Sequence, residues 1–594
     1  MKKRVADIVM DILVENGITT CFGVVGGGAM HLDNALGLNE KIEKIFNHHE
    51  QACAMAAEAY ARLTGKMAAV CVTSGPGGTN TLTGVMGSWQ DSLPILVLSG
   101  QVRFETTMAA VPELKLRYRG VQEFDIINSV QNMTKYAVMV TDPLAIRREL
   151  QKAIDLAMNG RRGPTWVDIP LDVQSALVEE AELFPAGPCG EPLPSISREE
   201  LSEIFETLRQ AKRPCILAGN GIVNSGNLDA FRTFMRATGV PVVGAAIAGD
   251  VCYREYPLFV GTSGTIGHRA GNFTAQNADV ILCLGCPLGF KTTGFAQEEF
   301  APRAKILMVD IDDSESRKPG VRVSKLYQSD LKHFFAVAET MNCKVDAAED
   351  WISYCQHLKE HFSVFEGADG IQPEERVCSY QFWKEYEKYE PADNVSVLCN
   401  NTATSAKLQI GILKDKQRLV ANNNCGSMGA DLPEAVGAAI AVRHPITCLT
   451  GDGSVMMNLQ ELQTIVQYNL PVKMVIFEND GYNAIRQTAK NFFDGKEVGC
   501  SARSGVSFPS FEKIADAFGF PYRKCSSNAE IGEALQWLYQ TEGYALLEVS
   551  QRLDDPVCPK VMSRQTADGT FVTPARHHMW PIISAEELKS LMLW

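Results

Sequence analysis

Short apolar runs that end in glycine-rich turns alternate with longer helical patterns along most of this chain, and that alternation limits its fold more than any other feature. The runs are Met67 to Val72, Ile95 to Ser99, Cys215 to Ala218, Val280 to Leu284, Ile306 to Asp310, Thr447 to Thr450 and Val472 to Phe477. Strands joined by helical crossovers give parallel sheets, so the expected class is α/β. The Pro-rich stretch from Phe184 to Pro194 closes a first unit, and the polar stretch from Asp346 to Arg376 separates a second from a third. The expected division is residues 1–180, 196–340 and 376–560, with 561–594 as a tail lying over the third unit. No short-period repeat or low-complexity segment interrupts this plan.

With 594 residues, 45% of them hydrophobic, the chain has room for three cores. A formal net charge of −14 repels nucleic acid and anionic membranes, so neither is an expected partner. A phosphorylated ligand then needs local help from a metal or from helix N-termini. The basic start Met1-Lys2-Lys3-Arg4 is followed by Asp7, Asp11 and Glu15, which leaves no uncharged core for a signal peptide, and no apolar run is long enough to span a bilayer. The 17 cysteines, among them Cys53, Cys71, Cys283 and Cys448, are scattered among apolar residues, as expected for a cytoplasmic protein. The one CxxC, Cys283 to Cys286, closes an apolar run and reads as a strand end rather than a metal site.

The most specific pattern is Gly451-Asp452-Gly453-Ser454 after one apolar run, then a second run ending in Glu478-Asn479-Asp480-Gly481. Strand ends on one edge of a parallel sheet lie close together, so a carboxylate and a carboxamide there can converge on one hard cation through oxygen. Magnesium suits such a site because it needs few protein ligands and leaves its other positions to diphosphate oxygens. Gly451 and Gly453 let the backbone approach phosphate, and a helix starting near Asn458 would offer its positive end. Three residues alone also fit a plain strand, turn and helix with no ligand.

Spacing narrows the choice. Asn479 stands 27 positions after Asp452. The pair resembles the signature of the thiamine-diphosphate enzymes, GDG followed at that distance by Asn. The resemblance implies that Asp452 and Asn479 ligate magnesium through side chains and Gly481 through its carbonyl.

A second segment, His48-His49-Glu50-Gln51-Ala52 and on to Arg62, reads as an Ala-rich helix that opens on Glu50. An acid in a first turn often does no more than complement the helix dipole. This one resembles the family's HEQ-A-x-x-A-x-G/E-YAR pattern, and Glu50 falls on its activating glutamate. The implied role is a carboxylic acid bonded to N1′ of the cofactor pyrimidine, favouring the form that removes the C2 proton. Such an acid works best where apolar surroundings hold its proton, and the alanines after Glu50 are consistent with that. His48 and His49 are close enough in sequence to reach the site, although a buried, hydrogen-bonded histidine is the commoner case.

Further segments resemble the family in order. Thr73-Ser74-Gly75-Pro76-Gly77-Gly78-Thr79-Asn80 looks like its TSGPGxTN loop beside the pyrimidine. Gly26-Gly27-Gly28 resembles its PGG turn with Gly26 for proline. Val121-Gln122-Glu123 resembles FQE, which implies that Gln122 faces the substrate. Cys425-Gly426-Ser427-Met428-Gly429 resembles GxMG. There the Gly426 carbonyl would accept from the cofactor's 4′-amino group and Met428 would wedge beneath the cofactor. The resemblance also assigns cofactor contacts to Gly26, Gly27, Thr73, Pro76, Asn80, Asn401, Gly451, Gly453, Ser454 and Tyr482.

The likeness covers nearly the whole chain and is closest to acetolactate synthase-like proteins. It implies three parallel-sheet domains: pyrimidine-binding, central Rossmann-like and diphosphate-binding. That branch often carries FAD centrally, and Gly219-Asn220-Gly221, Gly264-Thr265-Ile266-Gly267-His268 and Asp310-Ile311-Asp312 partly match FAD-contacting segments. The branch's arginine-bearing GxRxDDR reads Gly285-Cys286-Pro287-Leu288-Gly289-Phe290-Lys291 here, so FAD and an empty central domain both stay open. Acetolactate synthases carry a tryptophan nine positions after the magnesium asparagine; here Thr488 stands there, which implies a different acceptor. The run from Asn479 to Thr488 looks more like synthase relatives of surface-polysaccharide sugar pathways. Arg486 either steers a substrate carboxylate or phosphate, or pairs with a surface acid.

The implied function is carboligation of a decarboxylated, pyruvate-like 2-oxo acid to a second carbonyl compound. The alternatives are a lyase, hydrolase or decarboxylase on the same cofactor, or a silent homologue serving in assembly. Retention of Glu50 and Asp452 speaks against silence. The family pattern implies a homodimer or homotetramer with active sites at subunit interfaces.

Overall fold

The computed structural model describes residues 2–246, 248–399, 402–410, 413–566 and 568–594. It holds three six-stranded sheets in which every neighbouring pair is parallel. The first contains β1 (Thr20–Gly23), β2 (Glu43–Phe46), β3 (Ala68–Val72), β4 (Ile95–Gln101), β5 (Tyr136–Met139) and β6 (Thr165–Pro170), in the order β2-β1-β3-β4-β6-β5. The central sheet contains β7 (Pro214–Ala218), β8 (Val242–Ala245), β9 (Phe259–Ser263), β10 (Val280–Leu284), β11 (Lys305–Asp310) and β12 (Lys325–Gln328). Its order, β9-β8-β7-β10-β11-β12, is the doubly wound Rossmann arrangement, with the switch point between β7 and β10. The third contains β13 (Val395–Leu398), β14 (Arg418–Ala421), β15 (Ile446–Gly451), β16 (Val472–Glu478), β17 (Tyr522–Cys525) and β18 (Ala545–Ser550). Its order β14-β13-β15-β16-β18-β17 repeats that of the first sheet. Every apolar run singled out in the sequence is a strand, because helices cover both faces of each sheet and leave β3, β10 and β15 wholly buried.

Two helices join the first and third sheets: α1 (Glu50–Thr64) and α2 (Asp431–Val442). Helix α1 is capped by His49, whose Nδ1 accepts from the Gln51 amide, and stopped by Gly65 in the left-handed region. Small residues let the two backbones meet: a Cβ on Gly437 would lie 2.0 Å from the Ala56 carbonyl oxygen. One apolar core therefore runs from Phe22 and Val70 through these helices to Ile446 and Leu546.

Two stretches depart from expectation. The polar segment after Asp346 is not a bare linker: helix Glu349–His361 buries Trp351, Cys355 and Leu358 in the central core, a spacing that puts all three on one helix face. The C-terminal tail lies mainly on the central unit, not the third. Buried Arg576 donates to the Thr292 carbonyl at 2.7 Å and to Gln276 Oε1 at 3.2 Å, and stacks over Phe300. Asn277 donates to the Leu591 carbonyl and accepts from the Leu593 amide. Among the described residues no helix is long and apolar enough to cross a membrane.

Candidate active site

Strands β15 and β16 run side by side, Gly451 opposite Phe477, so Asp452 and Asn479 leave the sheet at one edge. Asp452 is 3% exposed. Its Oδ1 accepts from the Gly453 amide at 2.8 Å, and its Oδ2 from the amides of Asn479 at 3.1 Å and Gly481 at 3.0 Å. Burial pushes this carboxyl up to about 6, against the pull of those three amides toward the charged form. The carboxamide of Asn479 is held at both ends: Nδ2 donates to Gln551 Oε1 at 3.0 Å, and Oδ1 accepts from Arg486 Nη2 at 3.0 Å. Glycine is required at two places. A Cβ on Gly481, at φ +134°, would lie 1.9 Å from the Cys500 carbonyl oxygen, and one on Gly453 would strike the Tyr482 ring at 2.1 Å.

A second cluster forms at the ends of β1 and β3. The Gly28 amide donates to Thr73 Oγ1 at 3.0 Å, and a Cβ on Gly26 would collide with the Thr73 side chain, so the Gly26–Gly27 turn lies directly against the Thr73 loop. Pro76 opens the short helix Pro76–Asn80, and Asn80 Nδ2 donates to Glu50 Oε2 at 2.9 Å. Gln122 adopts a left-handed backbone with φ 60°, and its carbonyl lies against Gly75, where a Cβ would sit 2.2 Å away. The sequence-selected residues of the first unit thus converge on one rim. Helix α1 is buried from Ala52 to Arg62, but Glu50 itself is only half-buried. Neither neighbouring histidine is the buried structural residue expected: the His48 side chain is exposed, and half-buried His49 serves as the helix cap.

Among the described residues no hydrogen bond or ion pair joins Glu50 to Asp452 or Asn479. The clusters meet through the segment after Asp452, where Asn458 Nδ2 donates to Gln51 Oε1 at 2.9 Å and to the Gly429 carbonyl at 2.7 Å. A single turn, Asp452–Val455, follows the strand directly, and the next helix, Glu461–Gln467, starts three residues beyond Asn458. Gly426, at φ +67°, and half-buried Met428 precede Gly429, whose amide donates to Ser454 Oγ at 2.8 Å.

Residues 3–127 match the N-terminal TPP binding domain of the thiamine pyrophosphate enzymes, residues 201–333 their central domain, and residues 401–549 their C-terminal TPP binding domain. The chain belongs to the thiamine pyrophosphate enzymes. Its relatives are acetolactate synthases. It is 30% identical to the acetolactate synthase isozyme 2 large subunit of Escherichia coli (strain K12), over 92% of this chain and 95% of that one. It is 29% identical to the chloroplastic acetolactate synthase of Arabidopsis thaliana, over 96% and 84% of the two chains. It is also 29% identical to a probable acetolactate synthase large subunit of Methanocaldococcus jannaschii, over 89% of each.

The donor set of this thiamine pyrophosphate enzyme fits a magnesium diphosphate. A buried carboxylate, a carboxamide with a fixed oxygen and a glycine carbonyl are all hard oxygen donors. The close approaches at Gly453 and Gly481 keep Tyr482 and the Cys500 backbone tight against that loop. Asn401 lies outside the described residues. Arg486 donates from Nη2 to the carbonyl and to Oδ1 of Asn479, and among the described residues no acid pairs with it. Gln551 and Glu461 escaped the sequence reading, since each is one polar residue beside an apolar run and its partner is remote in sequence.

At the switch point of the central sheet lies a cavity of about 530 Å³, lined by Asn220, Gly221, Gly285 to Pro287, Gly289 to Thr292, Asp310 and Ile311, with Gln90 to Ser92 and Arg161 of the first unit. Two of the three flavin-like segments therefore border it. The third, Gly264 to His268, instead binds the tail through Val561. Burial pushes Asp310 up to about 6.

Proposed function

We propose that this thiamine pyrophosphate enzyme decarboxylates a 2-oxo acid and joins the remaining acyl unit to a second carbonyl compound. The reaction releases carbon dioxide and is otherwise redox-neutral. The reading is carried by one observation: the Glu50–Asn80 pair and the Asp452–Asn479 pair are both intact and lie on two units that share one core. Bound thiamine diphosphate supplies the nucleophilic carbon and takes up electrons as carbon dioxide leaves. Asp452, Asn479 and the Gly481 carbonyl would hold magnesium; the diphosphate would complete its shell. Glu50, fixed by Asn80, would hold a proton against the pyrimidine. Gln122 would face the substrate from the rim.

Thr488, where acetolactate synthases place tryptophan, favours an acceptor other than a second pyruvate. The half-exposed state of Glu50 supports a dimer in which each Glu50 serves the partner's diphosphate site. Residues 1–180, 196–340 and 376–560 are the proposed pyrimidine, central and diphosphate domains. The cavity at the central switch point, its glycine turns and its strand-end acid favour a bound nucleotide, with FAD as the proposed occupant in a non-redox role. Heating purified protein and recording the absorbance of the released small molecules tests that assignment, and light scattering tests the dimer. The 17 cysteines, scattered among apolar residues, favour a cytoplasmic location. Product analysis with pyruvate tests the function.

A further inference from the structure

Glu461 opens helix Glu461–Gln467 of the third unit and is fully buried. Among the described residues no lysine, arginine or histidine pairs with it. A buried carboxylate without a cation is costly unless donors surround it. Here the donors are Thr464 Oγ1 at 2.7 Å, Asn47 Nδ2 at 2.9 Å and the His48 backbone amide at 3.0 Å. The last two belong to the first unit, in the turn that leads from β2 into Glu50. Two more ties flank them: the Phe46 amide donates to Tyr468 Oη at 2.8 Å, and Asn458 binds Gln51. Residues 46, 47, 48 and 51 are thus all fastened to residues 458–468 of the other unit, and Glu50 stands inside that bracket.

We propose that Glu461 is a positioning residue that fixes where the Glu50 carboxyl stands. The third unit, through the segment that begins at Asp452, then sets the geometry of the acid on the first. Accepting oxygens at both ends of the Glu461 side chain are needed, because its partners in the turn donate to different oxygens. A carboxamide would turn an N–H₂ toward one of them and lose that tie. This inference rests on the reading of Glu50 as the activating acid.

The test uses the full-length protein with thiamine diphosphate and magnesium, and measures three things in Glu461→Gln: the melting midpoint, cofactor affinity by calorimetry, and hydrogen–deuterium exchange at C2 of the bound cofactor. Exchange should slow on the order of tenfold or more, since a small misplacement of a reacting group is enough for that, while affinity stays at the parent value. Tyr468→Phe, which removes only the Phe46 tie, should slow exchange less. It keeps the question answerable if Glu461→Gln does not fold. Parent-like exchange in a folded Glu461→Gln, or in Tyr468→Phe should that be the only folded variant, overturns the proposal. Glu50→Gln serves as the control. If it leaves exchange intact, the Glu50 reading itself falls; if it abolishes exchange while Glu461→Gln does not, only this inference falls.

Discussion

Gln551 accepts the Nδ2 hydrogen of Asn479 at 3.0 Å, which fixes the carboxamide so that its oxygen turns to Arg486. Gln551 is itself buried and held by its own donation to Asp555 Oδ2 at 3.0 Å. Partners of this kind orient a metal ligand without touching the metal. Gln551→Leu should therefore weaken magnesium binding, in the presence of thiamine diphosphate, by about 10–100-fold. Calorimetry reads the change, and an unaltered affinity removes Gln551 from this role.

Glu50 and Asp452 should separate two functions. Glu50→Ala is expected to keep cofactor binding and lose C2 proton exchange, because its carboxyl bonds Asn80 and, among the described residues, neither Asp452 nor Asn479. Asp452→Ala is expected to lose magnesium-dependent cofactor binding. If both variants lose the same property, the division between the two units is wrong.

The sign of one substitution tests the α1–α2 contact. Gly to Ala inside a helix normally stabilises by about 0.5–1 kcal/mol. At Gly437 the added methyl would lie 2.0 Å from the Ala56 carbonyl oxygen, inside a packed backbone crossing. Overpacking of that kind costs about 1–3 kcal/mol, so Gly437→Ala should lower the melting midpoint. A rise would mean that the two helices have room to part.

Asp168 makes stability depend on pH in a direction opposite to that of a salt-bridged acid. It is wholly buried between Ser99 Oγ at 2.5 Å and Gln101 Nε2 at 3.2 Å. Burial raises it from 3.8 to about 7. The native state therefore holds a proton that the unfolded chain releases between these values. The stabilisation is fully present below 3.8 and lost as pH rises toward 7, by up to about 4 kcal/mol. Denaturant titrations of the parent and of Asp168→Asn should give a stability difference that shrinks over that interval and is flat above it. A constant difference from pH 4 to 8 would show that Asp168 is ionised throughout.

The legible parts of this molecule were those written locally. Runs such as Val280 to Leu284 declare themselves because a strand buried on both faces must be apolar throughout. Gly453 and Gly481 declare themselves because only glycine survives such close approaches. The hidden parts depend on distant partners. Glu461 meets His48 across 413 positions and Gln551 meets Asn479 across 72, so neither is more than an isolated polar residue in the sequence. The place of the tail is hidden for the same reason: Arg576 finds Thr292 and Gln276 of the central unit, which nothing near it announces. The helix expected near Asn458 starts slightly later, at Glu461, because the chain first makes a single turn after β15, at Asp452–Val455.

The most direct test of the central claim is mass spectrometry of the purified protein incubated with thiamine diphosphate, magnesium and pyruvate, with and without an added carbonyl acceptor. The account predicts carbon dioxide together with a coupled hydroxy ketone or hydroxy-oxo acid, and loss of both in Glu50→Ala. Pyruvate left intact while the cofactor is bound would contradict the assigned donor, and carbon dioxide with free aldehyde but no coupled product would contradict carboligation.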